Sequence, residues 1–118
     1  MIVSLVEDDP VVLSLLTELL RIHGHEPRPV LIGADDTVET GLARIAADGA
    51  QVILMDMGMP VPGPLLLKAA QTDCRFKKVR YLMASASFEP FRSELPGVRS
   101  IAKPYELPEL LAAIAGAA

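Results

Sequence analysis

The stretch Val52-Ile53-Leu54-Met55-Asp56-Met57-Gly58-Met59-Pro60 decides how this chain is read. Its first four side chains are uninterruptedly apolar, the pattern of a short strand covered on both faces, as in a parallel sheet. That strand runs into a single acid, Asp56, which burial does not require. A glycine and a proline then turn the chain away. In an open α/β sheet, ligand-binding groups collect outside the carboxyl ends of the strands, so the acid marks a candidate site.

Upstream, Ile2 to Val6 is another apolar run, stopped by Glu7-Asp8-Asp9 and then Pro10. Asp9 suits an N-cap and Pro10 a first helical position. Val12, Leu15, Leu16, Leu19 and Leu20 then recur at helical spacing up to a stop at Gly24. Pro27 to Ile32 predicts a second strand whose prolines suit a sheet edge. A helix follows, with Asp35 or Asp36 as its cap and Val38, Leu42, Ile45 and Ala46 as its apolar face, ending near Gly49.

Downstream, Pro60, Pro62, Gly63 and Pro64 turn into a helix over Leu65 to Gln71, and Val79 to Ala84 predicts a fourth strand ending in Ser85-Ala86-Ser87. The segment Phe88 to Gly97 has room only for a short helix between Pro90 and Pro96. Val98 to Ala102 is a fifth strand before Lys103-Pro104, and Leu107 to Ala115 a last amphipathic helix. Alternating strands and helices predict a parallel sheet with helices on both faces. No repeat or linker interrupts the pattern, so 1–118 is expected to be one domain with no output domain.

Composition narrows the function classes. The 118 residues can bury a core without disulfides, and the lone Cys74 fits a reducing compartment and a spare loop thiol. No basic leader precedes Ile2, and the apolar run there is too short for a signal or membrane segment, so a cytoplasmic protein without membrane insertion is expected. The formal net charge of -4 gives little support for direct nucleic-acid binding. The one basic cluster, Arg75 to Arg80, reads as a solvated loop leading into a strand.

Four of the five strands therefore deliver polar groups to one edge: Glu7-Asp8, Asp56, Ser85 and Lys103. Converging carboxylates repel unless a cation balances them, and a hard divalent ion with oxygen ligands is the natural balance. Acids, a cation, a hydroxyl and a lysine together suit a phosphoryl group, whose phosphorus a carboxylate could attack.

With VEDD near the start, MDMGMP and a following PG in the middle, MASA at the fourth strand end and AKPY at the fifth, the chain resembles the receiver domain of bacterial response regulators, the CheY-like superfamily. The motifs occur in the family's order over essentially the whole length. The resemblance implies a flavodoxin-like doubly wound (βα)5 sandwich with strand order 2-1-3-4-5, here with a shortened fourth helix. It implies Asp56 as phosphoacceptor, Ser85 as the switch hydroxyl, and Lys103 as the lysine that meets the phosphoryl group, its bond to Pro104 typically cis in the family. It implies Mg²⁺ (or Mn²⁺) held by Asp8 directly, by Glu7 mainly through a water, by Asp56, and by the backbone carbonyl of Gly58. Asp8-Asp9 is the alternative acidic pair.

The implied function is two-component signalling: a phosphoryl group taken from a sensor histidine kinase or histidine phosphotransfer protein, self-catalysed at the acid pocket, with a downstream target protein as output. Two departures stand out. Ser100 occupies the place three residues before Lys103 where the family often has an aromatic, and the Phe88 to Gly97 segment is short. A degenerate receiver acting as a binding module is one alternative, although none of its acids nor the lysine is lost. A haloacid dehalogenase-type phosphatase is another, against which Gly58 stands where a second Asp is usual.

Other polar or unusual residues read as structural. Met57 and Met59 are apolar filler, since the nearby acids favour a hard ion over a soft one. His23 and His25 around Gly24 suit a helix end, and Phe88 and Phe91 are expected to anchor the short helix on the core.

Overall fold

The computed structural model describes residues 1–46, 49–56, 58–85, 98–103 and 105–117, with the side chains of Ser85 and Ala117 outside that description. The elements run β1 (Ile2–Glu7), α1 (Pro10–Ile22), β2 (Glu26–Leu31), α2 (Val38–Ala46), β3 (Val52–Asp56) and α3 (Gly63–Gln71). A 3-10 turn (Cys74–Phe76), β4 (Arg80–Ser85), β5 (Val98–Ala102) and α4 (Leu107–Ala117) follow. All strand pairs are parallel, in the order β2-β1-β3-β4-β5. The expected short helix between Pro90 and Pro96, with Phe88 and Phe91, lies outside the described residues, as do Met57 and Pro104.

Strand alternation divides the core into two layers. Val3, Leu5, Val52, Leu54, Leu82, Ala84 and Ile101 face α1 and α4, where Leu13, Leu16, Leu20, Leu110 and Ile114 cover them. Val6, Val30, Ile53, Met55, Tyr81 and Met83 face the other way, toward Leu42 and Ile45 of α2 and Leu66, Leu67 and Ala70 of α3. The apolar run of β3 is thus explained: Val52 to Met55 are all buried because helices lie on both sides.

β2 is an edge strand, and its prolines fall where an edge tolerates them. The N–H groups of Glu26 and Ile32 donate to the carbonyl oxygens of Met1, just ahead of β1, and of Glu7 in β1. Alternation then aims the backbone nitrogens of Pro27 and Pro29 away from β1, where no ladder bond is lost and no further strand can dock in register.

Three local expectations change. In α1 the inward stripe is Leu13, Leu16 and Leu20, while Leu15 is 59% exposed. Leu15 sits about 100° round the helix from Leu16, which carries it off the face that α1 lays on the sheet. The cap of α2 is Thr37, neither Asp35 nor Asp36: the Thr40 N–H donates to the Thr37 hydroxyl oxygen and the Thr37 N–H to that of Thr40, a reciprocal arrangement like a capping box. Asp36 instead closes the preceding turn by accepting from Gly33 N–H. Finally, α3 begins at Gly63 and not Leu65: the Pro62 carbonyl oxygen accepts from Leu65 and Leu66 N–H, and Pro64 lies in the first turn, where a missing N–H costs nothing.

Candidate functional site

The β1 to α1 junction fixes the first part of the site. Asp9 accepts from the N–H groups of Val11 and Val12 and so caps α1, with Pro10 at its start. This commitment removes Asp9 from the acidic cluster and leaves Glu7 and Asp8 as the pair beside Asp56. Glu7 closes β1 and is buried, on the same side of the sheet as Val3 and Leu5. Its Oε1 accepts from Asp8 N–H at 3.2 Å and Asp9 N–H at 3.3 Å, holding the carboxyl against the turn.

Asp56 ends β3 two residues after Leu54, so alternation turns it to that same α1/α4 side. Lys103 follows the end of β5, two residues after Ile101, and reaches across so that its Nζ lies 2.6 Å from Asp56 Oδ1. Glu7, Asp8 and Asp56 each offer a carboxylate oxygen, and these atoms lie within 4.8 Å of one another. Four side chains from three separated parts of the sequence, Glu7-Asp8, Asp56 and Lys103, are thus gathered at the carboxyl edge of β1, β3 and β5.

The charges shape one another. Burial, reinforced by a hydrogen bond with Asp8 and by the Asp56 charge, pushes the Glu7 carboxyl up to about 7. The Asp9 N–H and the Lys103 charge oppose that rise without cancelling it. Burial works against the Lys103 ammonium, but its hydrogen bond to Asp56 and the charges of Asp56 and Glu7 outweigh this and hold its pKa above the usual lysine value. Tyr105, half-buried two residues on, is raised chiefly by burial, with the nearby Glu7 and Asp56 charges adding to it. A small cavity beneath the bridge is lined by Leu16, Leu54, Ala84 and Tyr105 together with Asp56 and Lys103.

Ser85 closes β4 opposite Ala102 of β5, and its side chain lies outside the described residues. Gly58 is exposed, two residues past Asp56, with nothing within 4 Å of where a Cβ would stand. Ser100, in β5, is half-buried and pairs with Met83. Met59 is buried in the α2/α3 layer, as filler should be. His23 Nδ1 is 2.8 Å from the Leu19 carbonyl oxygen, a helix-end contact. Tyr105 is the site neighbour that carried little signal in the sequence, since only its place two residues after Lys103 pointed to it.

Three carboxylates beside one lysine form a hard, oxygen-only donor set, which fits Mg²⁺ better than a soft or thiophilic ion. One ammonium cannot balance three acids, so the set has capacity for a further cation.

Comparison with solved structures matches this architecture over nearly its full length. The Vibrio cholerae chemotaxis response regulator CheY4 is 21% identical, with 99% of this chain and 98% of that one covered and a TM-score of 0.83. The CheY-like response regulator receiver domain protein of Methanospirillum hungatei JF-1 is 25% identical, covering 98% and 90%, with a TM-score of 0.79. The receiver domain of the hybrid histidine kinase CckA is 24% identical, covering 98% and 97%, with a TM-score of 0.75. The chain has the CheY-like receiver fold.

No protein-family model and no curated protein matches the sequence. The receiver fold is therefore carried by the backbone, at identities low enough that each functional residue must be argued from its own position. Among the described residues of this receiver fold, no helix is long and apolar enough to cross a membrane.

Proposed function

We propose that the protein is a phosphoacceptor in two-component signalling. The reading rests on one observation: Asp56 stands at a strand end with Glu7 and Asp8 on one side and the Lys103 ammonium in direct contact on the other. An aspartate so placed is a nucleophile with a lysine ready for the charge that develops on an incoming phosphoryl group.

In this account an Asp56 carboxylate oxygen attacks the phosphorus of a phosphohistidine on a kinase or phosphotransfer protein. The new P–O bond forms as the P–N bond breaks, and the donor imidazole leaves with the bonding pair and takes up a proton. Lys103 transfers its contact from the carboxylate to a phosphoryl oxygen. Glu7, Asp8 and Asp56, with the Gly58 carbonyl, would hold Mg²⁺, whose positive charge offsets that of the phosphoryl oxygens. Ser85 is assigned to donate its hydroxyl to one of those oxygens, moving its loop and altering the neighbouring surface. Hydrolysis of the acyl phosphate resets the domain, and output runs through contact with a target protein.

The test is to locate the modified residue. Protein treated with acetyl phosphate and Mg²⁺ is trapped by borohydride, which reduces an acyl phosphate, and then digested and sequenced by mass spectrometry. Modification at Asp56 supports the reading. A folded protein with no modification anywhere indicates a binding module, and phosphate release from esters without an adduct indicates a phosphatase.

A further inference from the structure

An open cavity lies at the opposite end of the sheet from the acids. It measures about 650 Å³ and is bordered by Gln51 ahead of β3, by Arg75, Lys77, Lys78 and Val79 between α3 and β4, and by Arg80 at the start of β4. That size is within the usual range for small-molecule sites. Four of its nine lining residues, Arg75, Lys77, Lys78 and Arg80, are cationic, in a chain whose net charge is -4.

Three of the four cations are not consumed by the protein. Arg75 is tied to Asp73, which its side chain meets at 2.7 Å. Among the described residues, Lys77, Lys78 and Arg80 are exposed and have no ion-pair partner. Gln51 uses its Oε1 to accept from Ile2 N–H at 2.9 Å, which leaves its amide N–H groups as further donors at the cavity wall. The cavity therefore gathers cationic groups and an amide donor beside a lining that also includes Gly49, Ala50, Cys74 and Val79.

We infer that this cavity is a binding site for a small, multiply charged phosphate compound of the nucleotide or polyphosphate type. Three like charges brought to one concave surface repel, and an anion with several oxygens relieves this while meeting Arg80 through its planar fork and the lysines as point charges. The concavity and the shortness of the basic run favour a compact ligand. A nucleic-acid backbone would need a longer positive track than residues 75 to 80 provide and would meet the acid-rich remainder of the surface. The site does not depend on the proposed role of Asp56: β3 separates the two, from Gln51 at the basic mouth to Asp56 at the acid end, a span of about 17 Å.

The experiment is a titration of ¹⁵N-labelled full-length protein with tripolyphosphate and with ATP, in magnesium-free buffer at moderate salt, read by amide chemical shifts. Saturable shifts confined to residues 49–51 and 74–80 are expected, with an affinity weakened about tenfold in Lys77→Ala/Arg80→Ala. Both substituted side chains are exposed, so the fold is expected to persist, and unchanged shifts elsewhere in the spectrum check this. Binding is expected to be unchanged in Asp56→Asn, which separates this site from the phosphoacceptor reading. Tighter binding of ATP than of tripolyphosphate identifies a nucleotide, and equal binding a bare polyphosphate. Shifts scattered over all surface lysines, an affinity indifferent to the double substitution, or stronger binding of a hexaglutamate peptide or an oligonucleotide would overturn the inference.

Discussion

Lys103 Nζ and Asp56 Oδ1 meet at 2.6 Å across 47 residues of sequence, joining the ends of β5 and β3 in the one ion pair that the described residues place at the acid cluster. The lysine holds the nucleophile and offsets repulsion among the acids. Replacing it by alanine is expected to lower stability of the metal-free protein at pH 8 by about 1 kcal/mol, since the lysine is partly exposed and its bridge screened. This is roughly 4 °C in Tm, read by thermal denaturation. The loss should shrink at pH 5, where Glu7 is neutral and one fewer negative charge is left without its partner.

Glu7 supplies the pH dependence. Its carboxyl is raised from 4.5 to about 7, so the folded protein binds more protons than the unfolded chain between those values. Its contribution is therefore fully present below pH 4.5 and is lost as pH rises through 7. Glu7→Gln keeps an acceptor for the Asp8 and Asp9 N–H groups but never ionises. The variant is expected to be more stable than the wild type at pH 8 without metal, by on the order of 2 kcal/mol, and about equal to it at pH 5. Equal denaturant midpoints at both pH values would show that Glu7 is not held neutral.

Divalent metal should act in the opposite direction. Mg²⁺ must displace the Glu7 proton, so its affinity is expected to rise with pH up to about 8 and to weaken below pH 7. At ten times its Kd, Mg²⁺ should stabilise the wild type by about 1.4 kcal/mol. The increase in Tm should be largely absent in Asp8→Asn. An unchanged metal response in that variant would move the site elsewhere.

The cap of α2 is a purely structural prediction. Thr37→Ala removes the hydroxyl that accepts from Thr40 N–H and is expected to cost about 1 kcal/mol. Substituting Asp35, which the sequence offers as a cap, should leave the denaturant midpoint close to that of the wild type.

The architecture was legible because burial on two faces leaves a strong mark in sequence. The run Val52 to Met55 could not be one side of an amphipathic element, and the prolines of β2 could be tolerated only at an edge. The gathering of Glu7, Asp8, Asp56 and Lys103 was legible for a different reason: the pair Glu7-Asp8, Asp56 and Lys103 each close an apolar run, so polar residues could be matched to three strand ends. Finer choices depended on geometry that spacing does not encode. Leu13 and Leu15 are equally apolar, and only the angle at which α1 meets the sheet buries one and exposes the other. Asp36 and Thr37 are both good caps, and the reciprocal bond with Thr40 decides between them. Tyr105 lines the cavity beside Asp56 and Lys103, a placement that its spacing in the sequence does not encode. The basic run from Arg75 to Arg80 reads as loop in sequence, and its concavity emerges only when the start of β3 is placed beside it.

Asp56 is proposed to accept a phosphoryl group in a site completed by its acidic neighbours and Lys103. Intact mass spectrometry after incubation with acetyl phosphate tests this most directly, comparing wild type with Mg²⁺, wild type with EDTA, and Asp56→Asn with Mg²⁺. A single, transient phosphoryl adduct is expected in the first sample and none in the other two. An adduct of equal yield in Asp56→Asn, or no adduct on folded, metal-loaded wild type, would contradict it.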